Sequence, residues 1–344
     1  MDDDENSFLE MEEDPEVEAA VVKEVAPEQT EMSKFLPKRK VYNIMEILRS
    51  TDRISFVLQG LLPTTGLMYV GARSGTGKTI IGIQLAVDLV LGRSTMTFKL
   101  GENLPQQRVL YFSLEMGKEE FKERFEAMYP NLTPEEEKLL EENLLVYCDP
   151  EAFRLWMDDH AAELIRMAIY HKITGAVIDT ASVSFGSTLN NQEEVNKTIE
   201  NLYTIRNRLG FYMIIPCHTR KLPAGIVANL EDITVDEIFG HSGVANSASA
   251  VLLMHQDKKK DSVRKLKEGE KMVWFMNPKA RFGPEFAPFK SVLRVDPLQF
   301  RRDAIELQPL TAEQKAAIKK GESSLPDEMK DVDFSSLLGD DDDL

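Results

Sequence analysis

Short, almost wholly apolar runs alternate along the chain with segments in which apolar residues recur every three or four positions. Six runs predict strands that are covered on both faces, as in a parallel sheet: 67–70, 109–112, 144–147, 176–178, 211–215 and 250–254. Between them, apolar stripes over 153–168 and 195–209 predict amphipathic helices. This alternation predicts an α/β fold with a mostly parallel, doubly wound sheet.

The pattern changes after residue 250. Residues 271–276 and 291–295 read as strands with no helix between them, so the sheet is predicted to end in antiparallel strands. Near the other end of the chain, residues 41–48 predict a short helix that follows the basic residues Lys34, Lys38, Arg39 and Lys40.

Charge is concentrated in two terminal segments. The chain of 344 residues has a net charge of −17, yet residues 1–32 hold 13 acidic residues and one lysine, and residues 322–344 hold nine and one. Residues 33–321 therefore carry a net charge of +3, which is compatible with binding nucleic acid. Both acidic segments are poor in aromatic residues, so we expect disordered tails.

Several classes of protein are excluded by simple counts. Cys148 and Cys217 form no CxxC pair, which argues against a disulfide scaffold and a structural zinc site. The N-terminus is acidic where a signal peptide would be basic, and no apolar run reaches the ~18 residues that span a bilayer. The sequence thus predicts a soluble, intracellular protein without a membrane partner.

The strongest chemical signal follows the first predicted strand and opens a predicted helix. It is a P-loop with alanine in place of the usual first glycine: Ala72, Arg73, Ser74, Gly75, Thr76, Gly77, Lys78 and Thr79. The glycines allow backbone N–H groups to surround a phosphate at a helix N-terminus. Lys78 would neutralise the β- and γ-phosphates, and the Thr79 hydroxyl would bind Mg²⁺, so ATP and Mg²⁺ are the predicted cofactors.

Two acidic residues end neighbouring predicted strands. Asp179 closes the run 175–179 and would bind Mg²⁺, partly through water, opposite Thr79. Its alternative role is a helix cap. Glu115 follows the run 109–112 and would activate water for ATP hydrolysis, although a solvated glutamate opening a helix would look the same.

Together these motifs resemble the RecA-fold helicases of the DnaB type and, among them, the plasmid RepA-like group. The Ser-Leu-Glu-Met segment at 113–116 matches the position of the catalytic glutamate, and Thr180 rather than glutamate follows Asp179, unlike in the AAA+ branch. The resemblance implies that His218, in the segment 216–221, senses the γ-phosphate. It also implies that Lys279 and Arg281, in the segment 277–284, form a hairpin that completes the neighbouring subunit's site.

The resemblance covers about residues 55–300 and implies a hexameric, ring-forming motor that moves on single-stranded DNA in phage or plasmid replication, in a bacterial host's cytoplasm. The predicted organisation is an acidic tail (1–32), a basic linker with a short helix (33–54), a RecA-like ATPase domain (55–310) and a second acidic tail (311–344). The segments 182–196 and 220–242 would hold the DNA-binding loops.

Two other functions remain open from the sequence alone. A recombination or recombination-mediator ATPase of the RecA/RadA class would form filaments, and an ATP-switched DNA-associated protein would recruit partners without moving. The C-terminal tail adds a possible partner, because Phe334, Leu337 and Leu338 would share one face of a helical turn edged by acids, which fits docking on a replication protein.

Overall fold

The computed structural model describes residues 41–148, 153–185, 191–219, 242–257, 266–283 and 286–300. The predicted acidic tails lie outside these ranges, as do residues 220–241 of the second predicted DNA loop and residues 186–190 of the first. Contacts divide the chain into a unit up to Arg53 and a unit from Ile54 onwards.

Among the described residues, eight strands form one sheet in the order β10-β9-β8-β3-β7-β6-β4-β5. Six of them run parallel, and β9 and β10 add to one edge in antiparallel register. The strands are β3 (Leu67–Ala72), β4 (Val109–Ser113), β5 (Leu144–Tyr147), β6 (Gly175–Asp179), β7 (Tyr212–His218), β8 (Ala250–Asp257), β9 (Lys271–Ala280) and β10 (Phe289–Leu293). The predicted sheet, with antiparallel strands at its C-terminal end, is confirmed.

Helices cover both faces of this sheet, and a separate pair of short strands, β1 (Phe56–Leu58) and β2 (Leu62–Pro63), precedes it. The helices are α1 (Ile44–Arg49), α2 (Lys78–Val90), α3 (Lys118–Met128), α4 (Pro134–Asn143), α5 (Asp158–Tyr170), α6 (Ala181–Ser184), α7 (Gln192–Leu209) and α8 (Ser242–Ser247). One apolar layer packs α2, α3 and α4 on the sheet, and the other packs α5 and α7 on the opposite face. All six residues of β3 are buried, as expected for a strand covered on both faces.

The apolar stripe over 153–168 predicts one helix, and this prediction is wrong at its start. Helix α5 begins only at Asp158, although Phe153 and Leu155 are buried. The backbone N–H of Leu155 donates to the Ser184 carbonyl, and its own carbonyl accepts from the Asn201 amide. These long-range bonds hold the segment in a non-helical conformation, and the apolar periodicity of the sequence does not reveal them.

The P-loop helix α2 is buried along almost its whole length and is fixed at its C-terminal end by a polar network. Asp88 is fully buried, and its two carboxylate oxygens accept from Arg93 Nε at 2.9 Å and Thr95 Oγ1 at 2.7 Å. Arg93 also donates to Glu136 of α4 at 2.7 Å. The network joins α2 to the loop that follows it and to α4.

Helix α1 belongs to the first unit. Asn43 begins it with a capping box, in which the Asn43 side chain accepts from the Met45 N–H and Glu46 bonds the Asn43 N–H. Its apolar side chains are exposed, including 63% of Ile44 and 67% of Leu48. Across the described ranges, no helix combines the length and the apolar character needed to cross a bilayer.

Candidate functional site

The P-loop connects the end of β3 to the start of α2. Gly75 (φ +72°) and Gly77 (φ +104°) occupy the left-handed region, where a side chain would be strained. Gly77 is the N-cap of α2 and brings no side chain to bond the first N–H groups of the helix. These groups are therefore available to an anion at the positive end of the helix dipole.

Lys78 is held inside the loop by acceptors from two strands. Its ammonium donates to the carbonyls of Ala72 (3.1 Å) and Arg73 (3.0 Å) and lies 3.2 Å from Nδ1 of His218. Burial lowers the pKa of Lys78, an effect that the nearby Asp179 and Glu115 oppose. Burial and the positive charge of Lys78 also lower the pKa of His218, which keeps the ring neutral and Nδ1 available as an acceptor.

Asp179 ends β6 and is 2% exposed. Its Oδ2 accepts from the Tyr111 hydroxyl at 2.7 Å, whereas Oδ1 is buried with no hydrogen bond from any residue in the described part of the chain. Burial raises the pKa of Asp179 to about 6, although the hydroxyls of Tyr111 and Thr79 and the charge of Lys78 act in the opposite direction.

These residues fit a magnesium ion. A buried carboxylate oxygen without a donor, close to a threonine hydroxyl, offers the hard oxygen ligands that Mg²⁺ prefers. Asp179 and Thr79 would hold the ion together with phosphate oxygens and water. The bound cation would also offset the desolvation that raises the pKa of Asp179.

Glu115 lies just beyond the end of β4 and is exposed. The hydroxyl of Thr180 donates to its Oε1 at 2.8 Å, which fixes the carboxylate toward the end of β6. Burial of Thr180 leaves it 1% exposed, so this donor is itself held in place. The arrangement suits a carboxylate that must keep one orientation toward a water molecule.

Five predicted site residues therefore meet at one edge of the sheet. Lys78, Thr79, Asp179, Glu115 and His218 follow the carboxyl ends of the adjacent strands β3, β6, β4 and β7, where ligands bind in open parallel sheets. An open cleft of about 570 Å³ continues from this edge along α3. It is lined by Thr79, Glu115, Met116, Glu120, Glu123, Arg124 and Leu298.

Tyr111 and Thr180 are contacts that sequence reasoning did not assign to the site. Tyr111 reaches Asp179 because β4 and β6 pair in parallel, with Ser113 opposite Asp179. Burial raises the pKa of Tyr111 well above its ordinary value, so its hydroxyl stays a donor. The sequence signal for both was their position one or two residues from a predicted strand end.

Lys279 and Arg281 do not join this cluster. Strand β9 is antiparallel to β8, and Ala280 pairs with Ala250 at the beginning of β8, at the sheet edge opposite the P-loop. Eight residues of β8 separate the two edges, which corresponds to roughly 23 Å. Arg281 is exposed and donates to the Asn246 carbonyl at 2.9 Å, and burial together with the charge of Arg281 lowers the pKa of Lys279.

The predicted hairpin at 277–284 differs in detail from the observed structure. Strand β9 continues to Ala280, so Asn277 through Ala280 are part of the strand and the chain bends only from Arg281. A Cβ at Gly283 would overlap the Gly60 carbonyl, so this bend lies directly on the turn between β1 and β2. The close backbone packing requires glycine at this position and keeps the bend in a fixed place.

Comparison with known proteins supports the same conclusion. The sequence model of the AAA domain family AAA_25 matches residues 40–224, more than half of the chain. No curated protein matches it. Among solved structures, the fold is similar to one whose title describes it as an ATPase domain, with 15% identity, 76% of this chain and 96% of that chain covered, and a TM-score of 0.53.

A second solved structure is the KaiC-like protein PH0186 from Pyrococcus horikoshii OT3, with 15% identity, coverage of 74% and 94%, and a TM-score of 0.47. The predicted RecA-like P-loop ATPase fold, related to that of DnaB-type helicases, is confirmed. With its P-loop, buried Asp179 and oriented Glu115 on such a sheet, the chain belongs to the AAA domain family AAA_25.

Proposed function

We propose that this ATPase is a ring-forming motor, most simply a hexamer, that moves on single-stranded DNA as a helicase in phage or plasmid replication. A replication protein would bind its C-terminal acidic tail. The observation that carries the proposal is the separation of Arg281 from Lys78 and Glu115, at opposite edges of one sheet. An exposed arginine so placed cannot reach its own P-loop, but it is accessible to a second copy.

Hydrolysis would use the residues at the P-loop edge. Lys78 would exchange the carbonyls of Ala72 and Arg73 for phosphate oxygens, and His218, next to its ammonium, would respond to that exchange. Mg²⁺ supplies positive charge to the phosphates when it is bound at Asp179 and Thr79. Glu115, oriented by Thr180, would take a proton from the attacking water.

Self-association is supported by α1 as well as by Arg281. Val41, Ile44, Met45 and Leu48 have the spacing of one helical face, and all are exposed. An apolar face of this kind is normally covered by another surface. A second copy of the chain provides that surface in a ring.

A subunit-mixing experiment tests the trans arrangement. Glu115→Gln should reduce ATP turnover by about 10²–10⁴-fold and leave ADP binding intact, because a general base acts on the attacking water and not on affinity. Arg281→Ala should also reduce turnover, by roughly 10³-fold or more. Mixing the two variants should restore part of the turnover, since some interfaces then combine an intact Glu115 with an intact Arg281.

Matched controls are available on the same surfaces. Glu119→Gln changes an exposed glutamate in the first turn of α3, and Arg166→Ala changes an exposed arginine that pairs with Glu163. Both controls should turn over ATP like the wild type. If the mixture of Glu115→Gln and Arg281→Ala remains as inactive as its components, Arg281 does not complete a neighbour's site.

The DNA part of the proposal needs its own measurement. Single-stranded DNA should stimulate turnover, and the protein should unwind a forked duplex and form rings in electron micrographs with ATP. The stimulation should weaken as salt rises, because phosphate contacts release counterions. Filaments on the DNA, or binding without unwinding, would instead favour the recombination or the ATP-switched alternative.

A further inference from the structure

The P-loop has a cationic neighbour that comes from a distant part of the chain. Lys271 is the first residue of β9, and because β9 runs antiparallel to β8, its start lies at the P-loop edge, where Met272 pairs with Asp257. The Lys271 ammonium donates to the carbonyl of Gly75 at 2.7 Å. The P-loop motif itself does not include this contact, which spans 196 positions.

The contact fixes a peptide plane that is otherwise easily turned. A trans peptide places its carbonyl and its N–H on opposite sides, so a Gly75 carbonyl directed at Lys271 turns the Thr76 N–H the other way. Gly75 has φ +72°, and glycine adopts positive and negative φ about equally readily. The Thr76 N–H has only a long bond, 3.4 Å, to the Arg73 carbonyl within the loop. That weak bond leaves the group available to a phosphate.

The position of Lys271 is set by packing. It pairs with Leu293 on β10, and Leu293 and the Phe300 ring lie about as close to Gly77 as a Cβ there would allow, at 3.0 Å. Phe300 in turn is bonded through both its N–H and its carbonyl to the buried Gln84 of α2, at 2.9 and 3.2 Å. The β9–β10 pair is thereby fixed against the P-loop.

Two lysines thus divide the carbonyls of the loop between them. Lys78 binds those of Ala72 and Arg73 from within, and Lys271 binds that of Gly75 from outside. We propose that Lys271 is a positioning residue of the nucleotide site, which holds the peptide between Gly75 and Thr76 in the orientation that binds the phosphates of a nucleoside di- or triphosphate. This inference rests on the proposed ATPase function.

Isothermal titration of the full-length protein with ADP and, separately, with inorganic pyrophosphate tests it. Lys271→Met keeps most of the stem and removes the donor, so Kd should rise about tenfold, and by a similar factor for both probes. Lys271→Arg should recover most of the affinity. Lys99→Met, which removes one exposed lysine elsewhere, should bind like the wild type. The melting temperature without ligand should be the same in all four proteins.

Three outcomes would overturn the inference. Lys271→Met could bind both probes like the wild type, or it could lose affinity for ADP alone, which would place the effect at the nucleoside. The third is a loss of affinity that accompanies a lower melting temperature and is not recovered by Lys271→Arg, which would indicate a structural role. A wild-type protein that binds neither probe would refute the proposed ATPase function itself, which is a separate and recognisable result.

Discussion

Two buried aspartates near opposite ends of α2 show how a structural carboxylate differs from a functional one. Asp88, in the last turn, is 0% exposed and has a donor on each oxygen. Asp179, near the first turn, is 2% exposed, has a donor on Oδ2 only, and its pKa is raised to about 6. Complete pairing makes a buried charge part of the scaffold, whereas an oxygen left without a donor marks a place for a ligand.

A pair of threonines repeats the contrast. Thr95 donates to Asp88 at 2.7 Å, and Thr180 donates to Glu115 at 2.8 Å. The two hydrogen bonds are nearly identical in length, and both threonines are buried. The difference lies in the acceptor, which is enclosed in the first case and exposed at the P-loop edge in the second. The same interaction is therefore expected to affect stability in one place and turnover in the other.

The largest expected effect is on stability, at Asp88. Asp88→Ala should lower the free energy of unfolding by about 3 kcal/mol, because it leaves Thr95 without its acceptor and Arg93 without a partner in the interior. Urea denaturation followed by circular dichroism measures the change. Asp88→Asn should lose less, since its amide oxygen still accepts one bond. A loss below about 1 kcal/mol for the alanine variant would mean that the network is not what fixes the end of α2.

Asp179 should give the opposite sign. Its carboxyl has a pKa of about 6 in the folded protein and an ordinary value of 3.8, so above pH 6 it is charged in both states and folding must bury that charge. Asp179→Asn removes this cost. Without nucleotide, the variant should be more stable than the wild type at pH 8 by up to about 3 kcal/mol, the equivalent of the shift.

The pH dependence separates this explanation from others. The advantage of Asp179→Asn should shrink as the pH falls through 6 and should vanish below about pH 4, where the wild-type carboxyl is neutral in both states. Mg²⁺-dependent ATP turnover should be lost at every pH, because an amide is a poor ligand for the ion. A stability gain that persists at pH 4 would show that its origin is packing and not the buried charge.

The residues of the site differ in how far the sequence could predict them. Lys78, Thr79, Asp179, Glu115 and His218 each end or follow a recognisable strand, so local pattern and the geometry of parallel sheets were enough to place them at one edge. The same rule did not reveal the donors that serve them.

Those donors depend on relations that no local pattern encodes. Tyr111 reaches Asp179 through the register between β4 and β6, and Lys271 reaches Gly75 through the reversed direction of β9. The extended segment at Phe153 is a third case, because its conformation is set by hydrogen bonds to Ser184 and Asn201 far along the chain. Pairwise register and long-range hydrogen bonds had to come from the structure.

The smallest expected effects, and the sharpest comparison, come from the two threonines. Thr95→Val should lower the free energy of unfolding by about 1–2 kcal/mol, because Asp88 loses a buried donor, and should leave ATP turnover per folded molecule unchanged. Thr180→Val should reduce turnover at saturating ATP about tenfold, because Glu115 loses the bond that orients it, with ADP affinity and melting temperature preserved. Serine at either position keeps the hydroxyl and should restore the wild-type property. If Thr180→Val instead destabilises the protein and turns over ATP normally, the hydroxyl of Thr180 has the same structural role as that of Thr95, and Glu115 does not depend on it.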